Sequence, residues 1–196
     1  MEYFKINSNQ GNLIKGPLII KPSILADDRG YFFESWNHSE FNEIISREVN
    51  FVQDNHSESK LGVLRGLHYQ LEPKAQAKLV RCIKGEVFDV LVDIRKDSDT
   101  YGEWSSIVLN KQNKLQLWIP EGFVHGFLSL KDFSEVLYKT NEYWHKDYER
   151  SLFWKDSDLN IKWPLVNINK KIKIITSYKD SIAPTLKEIE ESGDLF

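Results

Sequence analysis

The chain has 196 residues, a formal net charge of −3, 28% charged residues and six tryptophans, a size that buries a core without metal or disulfide staples and predicts one domain over residues 1–196. Its lysines are scattered and its balance is slightly acidic, so it offers no general attraction for nucleic acid or an anionic membrane, and an anionic ligand would need a local Arg and Lys cluster. Cys82 is the single cysteine, no stretch approaches the roughly 18 apolar residues of a membrane span, and the N-terminus lacks a basic segment followed by an apolar run; a cytoplasmic protein is expected.

Taken in order, Leu18–Ile20 predicts a short strand, Asp27–Gly30 a turn and Tyr31–Ser35 a second strand. Phe41, Ile44 and Ile45 fall at helical spacing behind a Ser or Asn cap, which predicts a helix over Ser39–Ser46. Phe51–His56 alternates apolar and polar residues, placing Gln53 and Asn55 on one face of a strand. Gly62–Gln70 is apolar and strand-like, yet carries Arg65, His68 and two glycines. Strict alternation would put Arg65 and His68 on opposite faces; a bulge or kink at Gly66 would let both point the same way. After the loop Leu71–Gln76, the strands Lys78–Lys84 and Glu86–Arg95 are separated by Gly85. In the second of these, Phe88, Val90, Val92 and Ile94 form an apolar face, while Asp89 and Asp93 on the other either bond a base or cation across the sheet or face solvent.

Ser105–Leu109, Lys114–Ile119 and Ser134–Thr140 are further predicted strands, with an Asn110–Asn113 turn between the first two. Pro184–Ser192 reads as a terminal helix opened by Pro and ended by Gly193. Many short strands with Gly, Pro and Asn punctuation and little helix between them predict an all-β sandwich or barrel with a few short peripheral helices.

Leu67 and Tyr69 flank His68 and would desolvate it, favouring the neutral imidazole that a general base requires. On this stretch alone, a base and a hydrogen-bonded core histidine stand level. Gly62 through His68 and Pro120-Glu-Gly122 through His125 resemble the two sequence motifs of the cupin jelly roll. Metal-binding cupins carry a second His and a Glu in the first motif; here Gln70 takes the place of that His and no suitably spaced Glu follows. Two histidines without a third strong ligand make a poor zinc or iron site, so no metal is expected.

A fuller resemblance covers nearly the whole chain. Asp28–Glu34, Phe51–Asn55, Val63–Gln70, Lys78–Arg81, Gly85–Asp89, Leu117–Phe123, His125–Phe127 and Tyr138-Lys139 resemble, in order and spacing, the dTDP-4-dehydrorhamnose 3,5-epimerase family. The resemblance implies a cupin jelly roll that inverts C3 and C5 of dTDP-4-dehydro-6-deoxy-D-glucose in dTDP-L-rhamnose biosynthesis, without a cofactor. Both protons are α to the C4 ketone and leave as enolates, so one site with a base on one face, an acid on the other and a cation near the ketone oxygen serves both carbons.

The same resemblance makes His68 the base, Asp180 its orienting carboxylate, Tyr138 the proton donor and Lys78 the cation facing the enolate. It points to Arg29, Glu34, Gln53, Asn55, Arg65, His125, Glu149 and Lys179 as substrate contacts, with Arg65 suited to the diphosphate. Trp144 stands where the family has a Tyr that stacks on thymine. The family is homodimeric, and an N-terminal segment reaches the partner's site, so Arg29 and Glu34 would act in trans. The nearest rivals are a 3-epimerase and an epimerase of another 4-keto sugar nucleotide; a non-catalytic sugar-binding cupin and a metal-dependent oxygenase stand further off.

Overall fold

The computed structural model describes residues 1–167 and 170–196. One six-stranded sheet is ordered β1 (Glu2–Asn7), β2 (Leu13–Lys21), β10 (Gln116–Ile119), β7 (Lys78–Lys84), β12 (Ser134–Thr140), β5 (Gln53–Ser59). A five-stranded sheet is ordered β13 (Glu149–Ser151), β6 (Leu64–Gln70), β11 (Phe123–Ser129), β8 (Glu86–Asp93), β9 (Trp104–Asn110). Neighbours in both sheets are antiparallel. Two small hairpins, β3 (Leu25–Asp27) with β4 (Gly30–Phe32) and β14 (Val166–Asn167) with β15 (Lys170–Lys171), lie outside them. Among the described residues three short helices complete the order: α1 (His38–Ile45), α2 (Tyr178–Ser181) and α3 (Leu186–Ser192). The expected all-β architecture with peripheral helices is what forms.

The sheets pack face to face through Val80, Cys82, Leu117 and Val136 from one and Val87, Leu91, Leu109 and Phe127 from the other. The five-stranded sheet is covered on its other side as well: Val90, Val92, Ile94 and Leu128 meet Leu152, Trp163 and Ile189 of the C-terminal segment. Double coverage is why the alternation of β8 does not divide it into a wet and a dry face. Asp89 and Asp93 are both fully buried, which rules out their solvent-facing alternative. Asp93 accepts two hydrogen bonds from the Arg95 guanidinium, at 2.8 and 2.6 Å, and one each from Ser98 and Thr100, so it organises the loop after β8.

Several boundaries differ from the sequence-based expectation, for local reasons. β1 was not expected, because it is an edge strand with most residues exposed and no clean alternation. β2 runs on both sides of Leu18–Ile20, through Gly16 and Pro17, which punctuate it in sequence but not in space. The strand expected over Tyr31–Ser35 stops at Phe32. α1 begins one residue before the expected Ser39, because Asn37 is the cap and accepts from the Glu40 N–H. α3 is opened by a Thr185–Glu188 capping box rather than by Pro184, and Asp156 accepts from the Leu186 N–H at its start.

The irregularity expected at Gly66 is present. Its φ is +111°, and the pairing of β6 with β11 slips there: His68 faces His125 while Arg65 faces Phe127. Three steps on β6 therefore answer two on β11, so β6 carries an extra residue. A Cβ on Gly66 would lie 2.7 Å from the Gly126 Cα and 2.8 Å from the His125 carbonyl oxygen. Gly66→Ala should lower stability by about 3 kcal/mol or more, from strained backbone plus the clash, read by urea denaturation. A loss below about 1 kcal/mol would show that the two strands separate freely.

Candidate active site

Two long-range connections create the site. The chain before α2 runs beside the start of β6, where the Leu64 N–H donates to the Ile175 carbonyl and the Ile175 N–H to the Gly62 carbonyl, each at 2.9 Å. α2 then brings Asp180, only 3% exposed, to His68: the His68 Nε2 to Asp180 Oδ1 distance is 2.6 Å. The Ser177 hydroxyl caps α2 by accepting from the Asp180 N–H at 3.1 Å. Burial by itself would raise the Asp180 pKa. The hydrogen bond and charge of His68, helped by Ser177 and the Gly66 backbone, hold it below the ordinary carboxylate value instead. An ionised carboxylate on one imidazole nitrogen leaves the other as a proton acceptor and stabilises the imidazolium that forms.

His68 opens onto a cavity of about 330 Å³. Arg65 lines it too, so the kink at Gly66 does turn both side chains to one side. Tyr138 and Lys78 enter from the six-stranded sheet, on β12 and β7, and therefore oppose His68 across the space between the sheets. His125, Lys179 and Asp180 complete the expected residues in this lining.

Lys78 is 6% exposed, and its ammonium donates to the His68 carbonyl at 3.2 Å. Burial pushes its pKa down to about 8, against the opposing pull of Asp89 and Glu149. Tyr138 is half-buried. Burial raises its phenol pKa; Arg65 opposes the shift and Glu149 adds to it, so the hydroxyl keeps its proton at neutral pH. His125 is buried and its Nε2 lies 2.8 Å from Asp89 Oδ1, so Asp89 is hydrogen-bonded across the sheet to an imidazole rather than facing solvent. Asp89 Oδ2 has no hydrogen-bond partner among the described residues.

The remaining expected contacts lie outside the cavity lining. Glu149 pairs with Lys179 at 2.9 Å; burial would raise its pKa, but the hydrogen bond and charge of Lys179, together with His68 and Trp144, keep the carboxyl below its ordinary value. Gln53 donates to Asn55 at 2.8 Å and accepts from the Trp144 backbone N–H at 3.0 Å. Trp144 is 54% exposed, and its side chain hydrogen-bonds Glu149. Arg29 and Glu34 are not brought to this cavity by their own chain. Arg29 pairs with Asp27 at 2.5 Å on the turn of the β3–β4 hairpin, and Glu34 accepts from Asn37 at 3.2 Å.

Among the described residues no group of three His, Cys, Asp or Glu is placed to hold a metal ion. Gln70, at the cupin ligand position, is engaged elsewhere: it donates to the Lys74 and Tyr143 carbonyls and accepts from the His145 N–H at 2.7 Å. Ser57, Ser177 and Phe127 also line the cavity and were not expected there. Both serines had a signal: Ser57 shares strand parity with Gln53 and Asn55, and Ser177 precedes Asp180 by three residues, as an N-cap does.

Residues 12–188 match the family model for dTDP-4-dehydrorhamnose 3,5-epimerase. The chain belongs to that family. It is 58% identical over 150 residues to the dTDP-4-dehydrorhamnose 3,5-epimerase of Shigella flexneri, covering 76% of this chain and 83% of the relative. It is 51% identical to the enzyme of that name from Salmonella typhimurium, covering 87% and 91%. The crystal structure of the epimerase from Legionella pneumophila in complex with dTDP-4-keto-L-rhamnose superimposes with a TM-score of 0.88 at 41% identity, covering 99% of this chain and 97% of that one. Family membership thus accords with the ordered motifs from Asp28 to Lys139.

The depressed Lys78 gives a test. Its folded pKa of about 8 lies below the ordinary 10.5, so the unfolded chain binds the proton more tightly. The buried charge costs stability at and below pH 8, and that cost is relieved as pH rises from about 8 towards 10.5. An NMR titration of labelled lysine side chains should show one resonance with a midpoint near 8 that is missing in Lys78→Met. A midpoint of 10 or above for Lys78 would contradict its dry environment.

Proposed function

We propose that this chain inverts C3 and C5 of dTDP-4-dehydro-6-deoxy-D-glucose, giving dTDP-4-dehydro-L-rhamnose for dTDP-L-rhamnose biosynthesis, with no cofactor and with residues 1–196 acting as one domain. The observation that carries this is the opposition, across one cavity, of the His68–Asp180 pair on the five-stranded side and Tyr138 with Lys78 on the other. Epimerisation needs removal of a proton from one face of a carbon and delivery to the other, and a base and an acid from facing sheets meet that need.

His68 takes the proton α to the C4 ketone, and Asp180 stabilises the imidazolium. The electron pair moves onto the ketone oxygen, where Lys78 stabilises the enolate in a water-poor setting. Tyr138 returns a proton from the opposite face; once His68 has released its proton to solvent and Tyr138 has regained one from it, the same steps serve the second carbon. Arg65 and Lys179 supply the local cations that a dTDP group requires from a chain of net negative charge.

The same reading makes the protein a cytoplasmic homodimer in which Arg29 and Glu34 act in trans. Its support is that both residues sit away from the cavity of their own chain, beside a hairpin with Leu25, Tyr31 and Phe32 more than half exposed.

With the 4-keto substrate in deuterated water, NMR should show deuterium entering both C3 and C5; label at C3 alone would mean a 3-epimerase. His68→Asn should reduce exchange at both carbons by about 10³-fold or more, and Tyr138→Phe should reduce net inversion by about 10²-fold while sparing proton loss more. Turnover should fall above about pH 8 as Lys78 loses its proton.

Arg29→Ala and His68→Asn, each nearly inactive alone, should recover activity when their subunits are mixed and exchanged, because one site in each heterodimer then has both residues. No recovery with subunits demonstrably exchanged would place Arg29 in cis or outside the site.

A further inference from the structure

We infer that the Ser57 hydroxyl is a sugar-binding group that takes a hydroxyl of the hexose rather than an oxygen of the diphosphate. β5 is an edge strand whose Gln53, Asn55, Ser57 and Ser59 turn inward, while Asp54, His56 and Glu58 are exposed. The other three inward side chains are engaged. Ser59 Oγ accepts from the Arg65 Nε at 3.0 Å, Gln53 bonds Asn55 and Trp144, and the Asn55 amide reaches the Tyr138 carbonyl at 3.5 Å. Ser57 Oγ is buried, borders the cavity, and has no hydrogen-bond partner among the described residues. An unpaired buried hydroxyl in an otherwise bonded row calls for a partner that arrives with a ligand.

The register selects which part of the ligand. Ser57 faces Val136, one inward row from the pair Asn55 and Tyr138. The hexose must lie between His68 and Tyr138 to react, so its ring is the portion that reaches the row beside Tyr138. The neighbours there, Val136 and Cys82, are apolar and leave Ser57 as the polar group that β5 offers to that side. A neutral hydroxyl, donor and acceptor at once, suits a sugar hydroxyl. A diphosphate is better met by Arg65 and Lys179.

The role of Ser57 rests on the epimerase reading, and the test separates the two. Calorimetry would measure binding of dTDP and of dTDP-D-glucose, which lacks the 4-ketone and does not react, to the wild type and to Ser57→Ala. The variant should bind dTDP within about twofold of wild type and dTDP-D-glucose about fivefold to tenfold more weakly. Its KM for the 4-keto substrate should rise by a similar factor, and its melting temperature should not fall, because the hydroxyl makes no bond in the free protein. Ser57→Cys, which keeps the volume, should show the same ligand-selective loss.

Equal weakening for both ligands would assign Ser57 to the diphosphate. Unchanged binding of both would remove it from the site, and a lower melting temperature with loss of both would make it structural; each overturns the inference. Wild-type protein that binds dTDP-D-glucose without turning over the 4-keto substrate would sink the epimerase reading while leaving the Ser57 comparison decisive. Wild type that binds neither ligand overturns both.

Discussion

β6 and β11 approach so closely at Gly66 and Gly126 that a Cβ on either would meet backbone of the other strand at 2.6 to 2.8 Å. Two things follow from that contact. β6 must take a left-handed step at Gly66, which adds a residue on its side of the ladder and aims Arg65 and His68 into one cavity. The closeness also seats His125 directly opposite His68. A straight β6 would send the cationic side chain and the imidazole to opposite faces of the sheet.

Around this kink the electrostatics divide into separate tasks. His68 and His125 are each held by a buried aspartate, Asp180 at 2.6 Å and Asp89 at 2.8 Å, so neither ring is free to reorient. Lys78 has no salt-bridge partner among the described residues, and its ammonium donates to the His68 carbonyl. Burial without a close counter-ion is what lowers its proton affinity, and in the proposed reaction it also leaves its charge available to an oxygen that becomes negative only during turnover. Three cationic side chains, Arg65, Lys78 and Lys179, line the cavity within a protein of net charge −3.

The frame shared with metal-binding cupins has been turned to another use. At the position of a metal-ligand His, Gln70 joins the Lys74, Tyr143 and His145 backbones and so fixes the loops that lead into β7 and β13. Catalytic power in the proposed reaction then comes from the acidity of protons beside a ketone, for which a fixed base, a fixed acid and one desolvated cation suffice.

Alternation and punctuation were enough to read β7, β8, β10 and β12, whereas β11, buried at every position, carries no period of two and was not read as a strand. The same signals missed β1 and cut β2 short, since an exposed edge strand and a Gly-Pro step carry little pattern. His68, Arg65 and the need for a kink at Gly66 were visible in a single stretch. Asp180, 112 residues away, acquired meaning only from the family motifs, and its 2.6 Å bond to His68 depends on the pairing of Gly62 and Leu64 with Ile175. By itself the sequence determined the all-β class and the family, and it singled out the side chains that the proposed reaction uses. The tertiary structure decided which of them share a cavity, that Asp89 is buried beneath His125, and that Arg29 and Glu34 lie elsewhere, because facing sheets bring together residues that no local spacing relates.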